Sequence, residues 1–536
     1  MTPRQTPRQT PLKHGRARQL AVRREPVPTV RIDSHLSHTH KTGTAETAGD
    51  RKPVQVMKFG GTSVANAACI RRVVDIVGKA AKRNRVVVVV SAMAGVTNQL
   101  VEAAARSEAG DSNSVRAILT TLRTQHFAAV DALLPPGPQL HGLTLKLTQL
   151  FDDCERLCEG TVLLRQLTPR ARDALWSLGE RLSSPILAAA LEETGTRAEA
   201  VEATDVVVTN TRHGAADPLM DLTRARCEGR LRPLLNDGIV PVTTGFIGAT
   251  EEGVLTILGR GGSDYSATII GAALGADEVI IWTDVDGVLT ADPQHVREAR
   301  TIPEMSYREA SEHAHFGAKV LHPKTLRALA QCAFPVTVRN TFSPSRAGTR
   351  ITPEGSAKRS GVKAITAITD VSMIKVGGPR IAKVHDVLGR TFAATAAVRA
   401  DILLTSHSSA QNDICLIVPA GQAEPTVESL RGEFAPDLKH ELAEHIRIDE
   451  NAAIVTLVGQ NMRATSGLVG RTFVALGKKK VNILATAQGS SDCNISFVVE
   501  KKDVKAALNT AHREFKLGNS KTSRGANKRK SRALRS

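Results

Sequence analysis

The chain has 536 residues, of which 41% are apolar, and a formal net charge of +18 at pH 7. That length predicts roughly two to four compact domains with sizeable cores. The charge is concentrated at the two ends: residues 1–52 carry 11 Lys and Arg against 4 Asp and Glu, and residues 516–536 carry 8 against none. The body is nearly neutral, which argues against nucleic-acid binding as the main function.

The ends and the cysteines indicate the protein's environment. Residues 1–52, rich in Pro, Arg and Thr, are predicted to be a disordered basic extension, and residues 516–536 a disordered basic tail. No apolar run has the length of a membrane span, and no hydrophobic signal segment is present. Seven scattered cysteines suit reduced thiols, so a cytoplasmic location is expected. An Arg-rich leader leaves an organelle transit peptide as the alternative.

The first strand–glycine–helix unit begins at Val54. Residues 54–57 read as a strand, Lys58 stands at its exit, and Gly60 and Gly61 precede Ser63 and an amphipathic helix. A lysine beside such glycines suits a phosphate group, because its compact charge reaches over a turn that brings backbone amides close. The spacing is not that of a P-loop, since the lysine comes before the glycines.

A run of five valines follows in residues 85–90. Such a continuous β-branched run predicts a strand buried on both faces, as in a parallel sheet covered by helices. Ligands bind at the carboxyl ends of strands in these sheets, so Ser91 and Thr97 become candidate contacts. A polar loop that caps the next helix is the open alternative. Residues 99–166 are predicted to be mostly helical and to cover the active face.

A second strand–glycine–helix unit is built on the hexapeptide Gly259–Asp264. It lies between an apolar strand and an Ala/Ile-rich helix, and its glycines allow backbone amides to approach an anion. Arg260 and Asp264 add one charge of each sign. Taken alone, the turn is equally compatible with glycines that serve geometry only.

Three further segments carry candidate binding groups. Glu180 stands after a glycine and is followed by an arginine and two serines. It could bind a substrate ammonium group or form a surface ion pair. Thr283 and Asp284 end a buried strand, where they suit Mg²⁺, a nucleotide or an Asx turn. Residues 316–323 add Lys319, which is expected to point into the same cleft.

Residues 343–361 are rich in Ser, Pro, Arg and Gly and are predicted to be a linker, after which an internal repeat follows. Each copy has the order β-α-β-β and lacks any reactive cluster, so residues 362–515 are expected to sense a ligand rather than to form a second enzyme. The first copy comprises residues 372–376, 384–397, 402–409 and 414–418, and the second comprises 454–458, 468–476, 482–491 and 495–499.

Taken in order, these motifs resemble the aspartate kinases of the amino-acid kinase superfamily, over roughly residues 54–515. The resemblance implies an α/β amino-acid kinase domain in residues 53–342, with a mostly parallel sheet sandwiched by helices. The repeats resemble two α+β, ferredoxin-like ACT modules. The similarity is closest to the kinase half of the bifunctional aspartokinase–homoserine dehydrogenases, without the dehydrogenase.

The resemblance implies that the chain uses ATP and Mg²⁺ to phosphorylate the side-chain carboxylate of L-aspartate to 4-phospho-L-aspartate, the first step of lysine, threonine and methionine biosynthesis. An ionised carboxylate needs no general base, so positioning and charge stabilisation carry the catalysis. The implied roles are catalysis by Lys58 and Asp264; aspartate binding by Thr97, Glu180, Phe246, Arg260 and Ser263; and ATP binding by Lys58, Gly60, Gly61, Ser63, Thr283, Asp284 and Lys319, with no protein metal ligand assigned.

Two residues near the expected nucleotide site differ from the pattern common in bacterial aspartate kinases. Leu289 stands where an aromatic residue is often found, and Gln294 stands where an arginine is common. For the effector, His407 stands where threonine-sensitive relatives carry a glutamine, and Gln488 is its counterpart in the second repeat. Threonine is the favoured effector and lysine the alternative. A homodimer or homotetramer is expected. The competing hypotheses are another amino-acid kinase, a catalytically weak or dead amino-acid sensor, and a polyanion binder that acts through its tails.

Overall fold

The computed structural model describes residues 52–317, 321–329, 334–355, 361–377, 384–408, 413–439, 445–487 and 492–518. Apart from residues 52 and 516–518, the predicted basic ends lie outside these ranges, and so do the candidate residues Lys319 and Gln488. The predictions about them therefore stay predictions. Within the described ranges, no helix has both the length and the apolar character needed to cross a membrane.

The N-terminal domain, residues 52–355, alternates strands and helices. Its strands are β1 (Val54–Phe59), β2 (Arg85–Val90), β3 (Ala198–Val201), β4 (Val240–Thr244), β5 (Ile247–Ala249), β6 (Leu255–Ile257), β7 (Glu278–Thr283), β8 (Glu304–Ser306), β9 (Val336–Asn340) and β10 (Thr349–Thr352). Its helices are α1 (Ala67–Ala81), α2 (Val96–Ala109), α3 (Ser112–Leu133), α4 (Pro138–Leu164), α5 (Pro169–Trp176), α6 (Leu178–Glu193), α7 (Met220–Asn236), α8 (Gly262–Leu274), α9 (Tyr307–His315) and α10 (Pro323–Leu329).

The main sheet has the strand order β3-β4-β2-β1-β7-β9-β10-β8, and its pairs from β3 to β9 are parallel. The valines of β2 alternate between two cores. Val86, Val88 and Val90 pack in one core with residues of α1 to α4 and α6, and Val87 and Val89 pack in the other with residues of α7 and α8. The predicted fold class is confirmed, because this strand is buried on both faces as its composition requires.

The long helical segment predicted for residues 99–166 is also observed. Helices α2, α3 and α4 occupy it, and the proline-rich break at residues 135–138 separates α3 from α4, with Pro138 in the first turn of α4. Proline suits that position because its missing N–H has no acceptor in the first turn of a helix. The valine triplet at residues 206–208, by contrast, forms no strand, although its composition favours one. It makes only one isolated bridge, from Val208 to Ala249.

The C-terminal region contains two modules. Its strands are β11 (Gly361–Ile368), β12 (Val371–Gly377), β13 (Leu404–Ser408), β14 (Asp413–Pro419), β15 (His445–Asp449), β16 (Ala452–Gln460), β17 (Ala485–Ala487) and β18 (Asn494–Glu500). Its helices are α11 (Val384–Ala397), α12 (Ala423–Glu433), α13 (Ala435–Lys439), α14 (Leu468–Gly477) and α15 (Val504–Glu514). The predicted β-α-β-β order is present twice, and each copy continues into a further helix.

The two modules are interleaved rather than consecutive. The first module's sheet has the order β13-β14-β12-β15, and the second module's sheet has the order β11-β16-β18-β17. Strand β11 precedes the first module in the chain but pairs antiparallel with β16 of the second. The prediction of a linker over residues 343–361 is wrong for residues 349–352, because β10 pairs with β8 and β9 of the main sheet. A short strand among Ser, Arg and Gly has no apolar alternation that would reveal it.

The second module is attached to the N-terminal domain by buried polar contacts. Lys363 of β11 and Glu309 of α9 form an ion pair at 2.8 Å, and their side chains are 7% and 0% exposed. The Ile365 amide donates to the Thr290 carbonyl at 2.9 Å. The Thr290 hydroxyl lies 3.0 Å from Nε2 of His512 in α15. These contacts fix β11 and α15 against the loop that follows β7.

Candidate active site

Five parallel strands bring their carboxyl ends to one edge of the main sheet. They are β1, β2, β4, β7 and β9, and each continues into a turn that holds small or polar residues. The turns are joined by backbone hydrogen bonds: the Gly60 amide donates to the Trp282 carbonyl at 3.2 Å, and the Gly245 amide donates to the Val90 carbonyl at 2.8 Å. This edge is where an open α/β sheet binds its ligand.

An ion pair joins the two glycine units predicted from the sequence. Lys58 Nζ lies 2.6 Å from Asp264 Oδ1, and the two side chains are 11% and 14% exposed. Lys58 is near the end of β1, in register with Val89 and Ile281 of the neighbouring strands, and Asp264 is in the first turn of α8. Residues about 200 positions apart in the chain thus form one charged pair at the sheet edge.

The glycines after β1 allow a close approach of backbone to backbone. A Cβ on Gly61 would lie 2.9 Å from the Ala92 carbonyl oxygen, which follows β2, and a Cβ on Gly60 would lie 3.4 Å from Lys58 Nζ. Residues Gly61–Val64 form one 3₁₀ turn, in which the buried Ser63 hydroxyl lies 2.7 Å from the hydroxyl of Thr341. The Gly60–Ser63 turn therefore lies beside Lys58 with a closely packed backbone.

Glu180 is a buried carboxylate in the first turn of α6. Burial raises its pKa to about 8, and backbone hydrogen bonds and the nearby Lys58 charge oppose this shift only in part. Its Oε2 atom has no hydrogen-bond partner among the described residues. The preceding Gly179 makes the approach possible, because a Cβ there would lie 2.5 Å from the Ala92 Cβ. A cationic ligand group would satisfy this carboxylate.

Two residues of the Gly259–Asp264 turn have a backbone conformation that only glycine adopts easily. Gly259 and Gly261 have φ angles of +81° and +70°. Between them Arg260 is exposed and makes no ion pair with the described residues. The turn therefore presents an exposed guanidinium beside the Lys58–Asp264 pair, in a form able to bind a carboxylate through two parallel hydrogen bonds.

Phe246 and Ser263 lie beside this turn. Phe246 has a φ of +69°, which is unusual for a residue with a side chain, and its amide donates to the Ser266 hydroxyl at 2.9 Å. A Cβ on Gly262 would lie 2.7 Å from the Phe246 ring, and a Cβ on Gly245 would lie 2.7 Å from the Ser263 Cβ. The end of β4 and the start of α8 are thus packed against each other, which holds Phe246 at the site edge.

The residues at the end of β7 that were predicted to bind the nucleotide, Thr283 and Asp284, lie at the same edge. Thr283 is half-buried, its carbonyl accepts from the Thr341 amide at 2.8 Å, and Asp284 is exposed. Beyond them, a cavity of about 490 Å³ lies between the loop after β7 and strand β11. Leu289 and Gln294, the two departures from the expected pattern, both line this cavity.

The structure thus brings most of the predicted site residues to one edge of the sheet. Thr97 is half-buried in the first turn of α2, which follows β2. His407 belongs instead to the first C-terminal module, where it is exposed on β13. Sequence reasoning missed His322, which packs against the Gly259–Asp264 turn: a Cβ on Gly261 would lie 2.3 Å from the His322 Cβ and 2.6 Å from its ring. Its presence in the Lys319 motif was the available signal.

Comparisons with known proteins agree with this geometry. Residues 53–340 match the amino acid kinase family, and residues 455–515 match an ACT domain. The first match covers more than half of the chain, and it contains every strand that contributes to the site edge. The fold and the site therefore define a member of the amino acid kinase family.

The relatives narrow this family. The chain is 33% identical over 468 residues to the chloroplastic bifunctional aspartokinase/homoserine dehydrogenase 1 of Arabidopsis thaliana, and it spans 51% of that protein's length. It is 33% identical over 488 residues to the chloroplastic aspartokinase 1 of the same plant, covering 89% of this chain and 82% of that one. The chain belongs to the aspartokinases, so the resemblance stated from its motifs is confirmed.

Solved structures give the same result. The crystal structure of E. coli aspartokinase III in complex with aspartate and ADP matches with a TM-score of 0.73 and 30% identity, over 86% of this chain and 99% of that one. The complex of the same enzyme with lysine and aspartate matches with a TM-score of 0.70 and 29% identity, over 86% and 99% of the two chains. The match extends through the C-terminal modules.

Proposed function

We propose that this chain is an aspartate kinase, which transfers the γ-phosphoryl group of ATP to the side-chain carboxylate of L-aspartate. The Lys58–Asp264 pair carries the proposal, because the same site edge also holds Glu180, whose Oε2 has no hydrogen-bond partner among the described residues, and the exposed Arg260. These two groups have the charges that complement an amino acid carrying both an ammonium and an α-carboxylate. The solved complex of E. coli aspartokinase III with aspartate and ADP supports the same pair of ligands.

Each end of aspartate would have one receptor. Glu180 would accept the ammonium, and Arg260 would bind the α-carboxylate through two hydrogen bonds. Thr97, Phe246 and Ser263 would line the space between them. The side-chain carboxylate would then face Lys58, already ionised and able to attack without a general base.

Lys58 would stabilise the charge of the transferring phosphoryl group, and Asp264 would hold the lysine ammonium in place. Gly60, Gly61 and Ser63 would border the phosphates, and Thr283, Asp284 and Lys319 would contact the rest of the nucleotide. A fixed positive charge is worth most where water is excluded. The low exposure of the Lys58 side chain provides that condition.

The described residues contain no group of three His, Cys, Asp or Glu side chains arranged to hold a metal ion. In phosphoryl-transfer sites Mg²⁺ is held mainly by nucleotide phosphates and water, together with one or two protein carboxylates. Asp284, which is exposed at the end of β7, would be one such carboxylate. When bound, Mg²⁺ would neutralise part of the phosphate charge.

A hydroxamate assay on the full chain with ATP, Mg²⁺ and aspartate tests the proposal. Aspartate should give product, whereas glutamate and acetylglutamate should not. The variant Lys58→Met should lose activity, and Lys375→Met, which alters an exposed lysine of β12, should retain it. Product with glutamate but not with aspartate would instead favour another amino-acid kinase. No product with any acceptor, together with amino-acid binding, would favour a sensor.

We further propose feedback regulation through the C-terminal modules, with threonine as the favoured effector and lysine as the alternative. The exposed position of His407 on β13 supports a role in effector binding, and Gln488 is its proposed counterpart. Kinase activity measured with threonine, with lysine and with both would identify the effector. Light scattering on the same samples would show whether the chain forms the expected homodimer or homotetramer. Inhibition by lysine without any effect of threonine would overturn the favoured assignment.

The proposed location is the cytoplasm, with an organelle as the alternative. The plant relatives are chloroplastic proteins by name, and the Arg-rich residues 1–52 suit a transit peptide. Cell fractionation of the full chain, followed by determination of the N-terminus of the mature protein, distinguishes the two locations. Removal of about the first 50 residues in an organelle fraction would establish the alternative.

A further inference from the structure

A second buried carboxylate lies close to the candidate site. Asp173 of α5 is fully buried, and its Oδ2 atom accepts two hydrogen bonds from one loop. The first comes from His213 Nδ1 at 2.7 Å and the second from the Gly214 amide at 3.1 Å. The His213 side chain is 21% exposed, so one edge of its ring remains accessible. Neither residue belongs to the groups assigned to substrate or nucleotide above.

The loop that carries His213 is packed against the Gly259–Asp264 turn. The Ala216 amide donates to the Ile257 carbonyl at 2.9 Å, two residues before that turn. A Cβ on Gly259 would lie 3.0 Å from the Gly214 carbonyl oxygen, so the two backbones are in direct contact. The loop therefore supports the backbone of the turn that carries Arg260.

Asp173 also belongs to the helical segment that carries Glu180. Helix α5 ends at Trp176, and α6 begins two residues later with Ser177 between them in right-handed helical conformation. The Arg181 amide donates to the Ser177 carbonyl at 3.3 Å, so the helical bonding continues across the junction. Asp173 precedes Glu180 by seven residues, which is about two turns along the same face. One carboxylate is thus bonded to the loop beside Arg260 and shares a helical segment with Glu180.

We propose that His213 is a positioning residue for the acceptor substrate. Together with Asp173 it sets the distance between Glu180 and Arg260, the groups that would bind the ammonium and the α-carboxylate of aspartate. This inference rests on the proposed function and adds to it a determinant of acceptor specificity. A short amino acid with two fixed ends requires a fixed separation of its receptors, and the Asp173–His213 hydrogen bond supplies that separation.

Steady-state kinetics of the full chain tests this role. His213→Ala should raise the KM for aspartate about 10-fold, the loss expected when a hydrogen bond to a charged group is removed. The KM for ATP and the kcat at saturating aspartate should stay within about 2-fold of the wild type. His213→Asn should recover most of the loss, because its amide nitrogen can replace Nδ1 as the donor to Asp173. In an Arg260→Ala background, His213→Ala should have little further effect.

His126→Asn serves as the matched control, because His126 is buried in α3 and its Nδ1 bonds to the Leu122 carbonyl of its own helix. It should leave the aspartate KM unchanged, and melting temperatures of all variants would measure any loss of fold. An equal rise in the KM values of both substrates, or an additive effect with Arg260→Ala, would overturn the inference. A wild-type chain that does not phosphorylate aspartate would refute the proposed function instead.

Discussion

The raised pKa of Glu180 makes aspartate binding depend on pH. Burial holds the pKa at about 8, so lowering the pH below that value protonates the carboxyl. A neutral carboxyl attracts the substrate ammonium weakly, and only the ionised fraction binds well. Because the pKa of Glu180 is raised, the affinity for aspartate should increase as the pH rises towards 8.

The size of the effect follows from the ionised fraction. With a pKa of about 8, roughly 1% of Glu180 is ionised at pH 6 and roughly half at pH 8. Since the apparent affinity scales with the competent fraction, the KM for aspartate should fall about 50-fold over that range. The measurement is the hydroxamate assay at saturating ATP, with buffers of constant ionic strength and aspartate varied at each pH.

Two variants separate this cause from general effects of pH. Glu180→Gln should have a high aspartate KM that hardly changes between pH 6 and pH 8. Glu202→Gln removes a half-exposed carboxylate that pairs with Arg181 nearby and should keep the wild-type slope. A flat wild-type profile, or a Glu180→Gln profile that keeps the slope, would refute the reasoning.

Three further substitutions have defined outcomes. Lys58→Met should lower kcat at least about 100-fold in the kinase assay, because it removes the fixed charge proposed for the phosphoryl group. Lys363→Met should lower the free energy of unfolding by about 3–5 kcal/mol in denaturant titration, since it leaves the Glu309 carboxylate buried without its partner. Gly179→Ala should raise the aspartate KM in kinetic assays, because the new Cβ meets Ala92 at 2.5 Å and displaces the Glu180 turn.

Matched controls exist for the last two substitutions. Lys502→Met breaks an ion pair with Glu500 whose lysine side chain is 73% exposed, so the unfolding free energy should hardly change. Gly470→Ala adds a Cβ within α14 that meets no atom within 4 Å and should leave the kinetics unchanged. A Lys363→Met variant as stable as Lys502→Met, or a Gly179→Ala variant with wild-type KM, would contradict the packing described for these positions.

Much of the architecture was predictable because local patterns determine it. The valines of β2 indicated a strand with two buried faces, and that condition nearly specifies a parallel sheet with its ligand edge at the carboxyl ends. At that edge of the sheet Lys58 lies next to the Gly259–Asp264 turn, although about 200 residues separate them in the chain. The ion pair between Lys58 Nζ and Asp264 Oδ1, at 2.6 Å, could not be predicted from either motif alone.

Other features depend on distant partners and leave no local pattern. Gly179 looks like an ordinary helical glycine in the sequence, and only the fold places the Ala92 Cβ against it. The order of strands around β11 depends on pairing with β16, about 90 residues later in the chain, and no periodicity encodes that choice. Asp173 and His213 are 40 residues apart and belong to no motif that was identified, so only the folded chain revealed their hydrogen bond.

The early position of β11 also orders events during synthesis of the chain. Residues 371–449 can pair their own strands as soon as they leave the ribosome, whereas β11 must wait until residues 452–460 have been made. Until then its backbone donors and acceptors form an open strand edge, the kind of surface that recruits other chains. Chains truncated before β16 would keep that edge exposed, so loss of the C-terminus should cause aggregation and not merely the loss of an effector response.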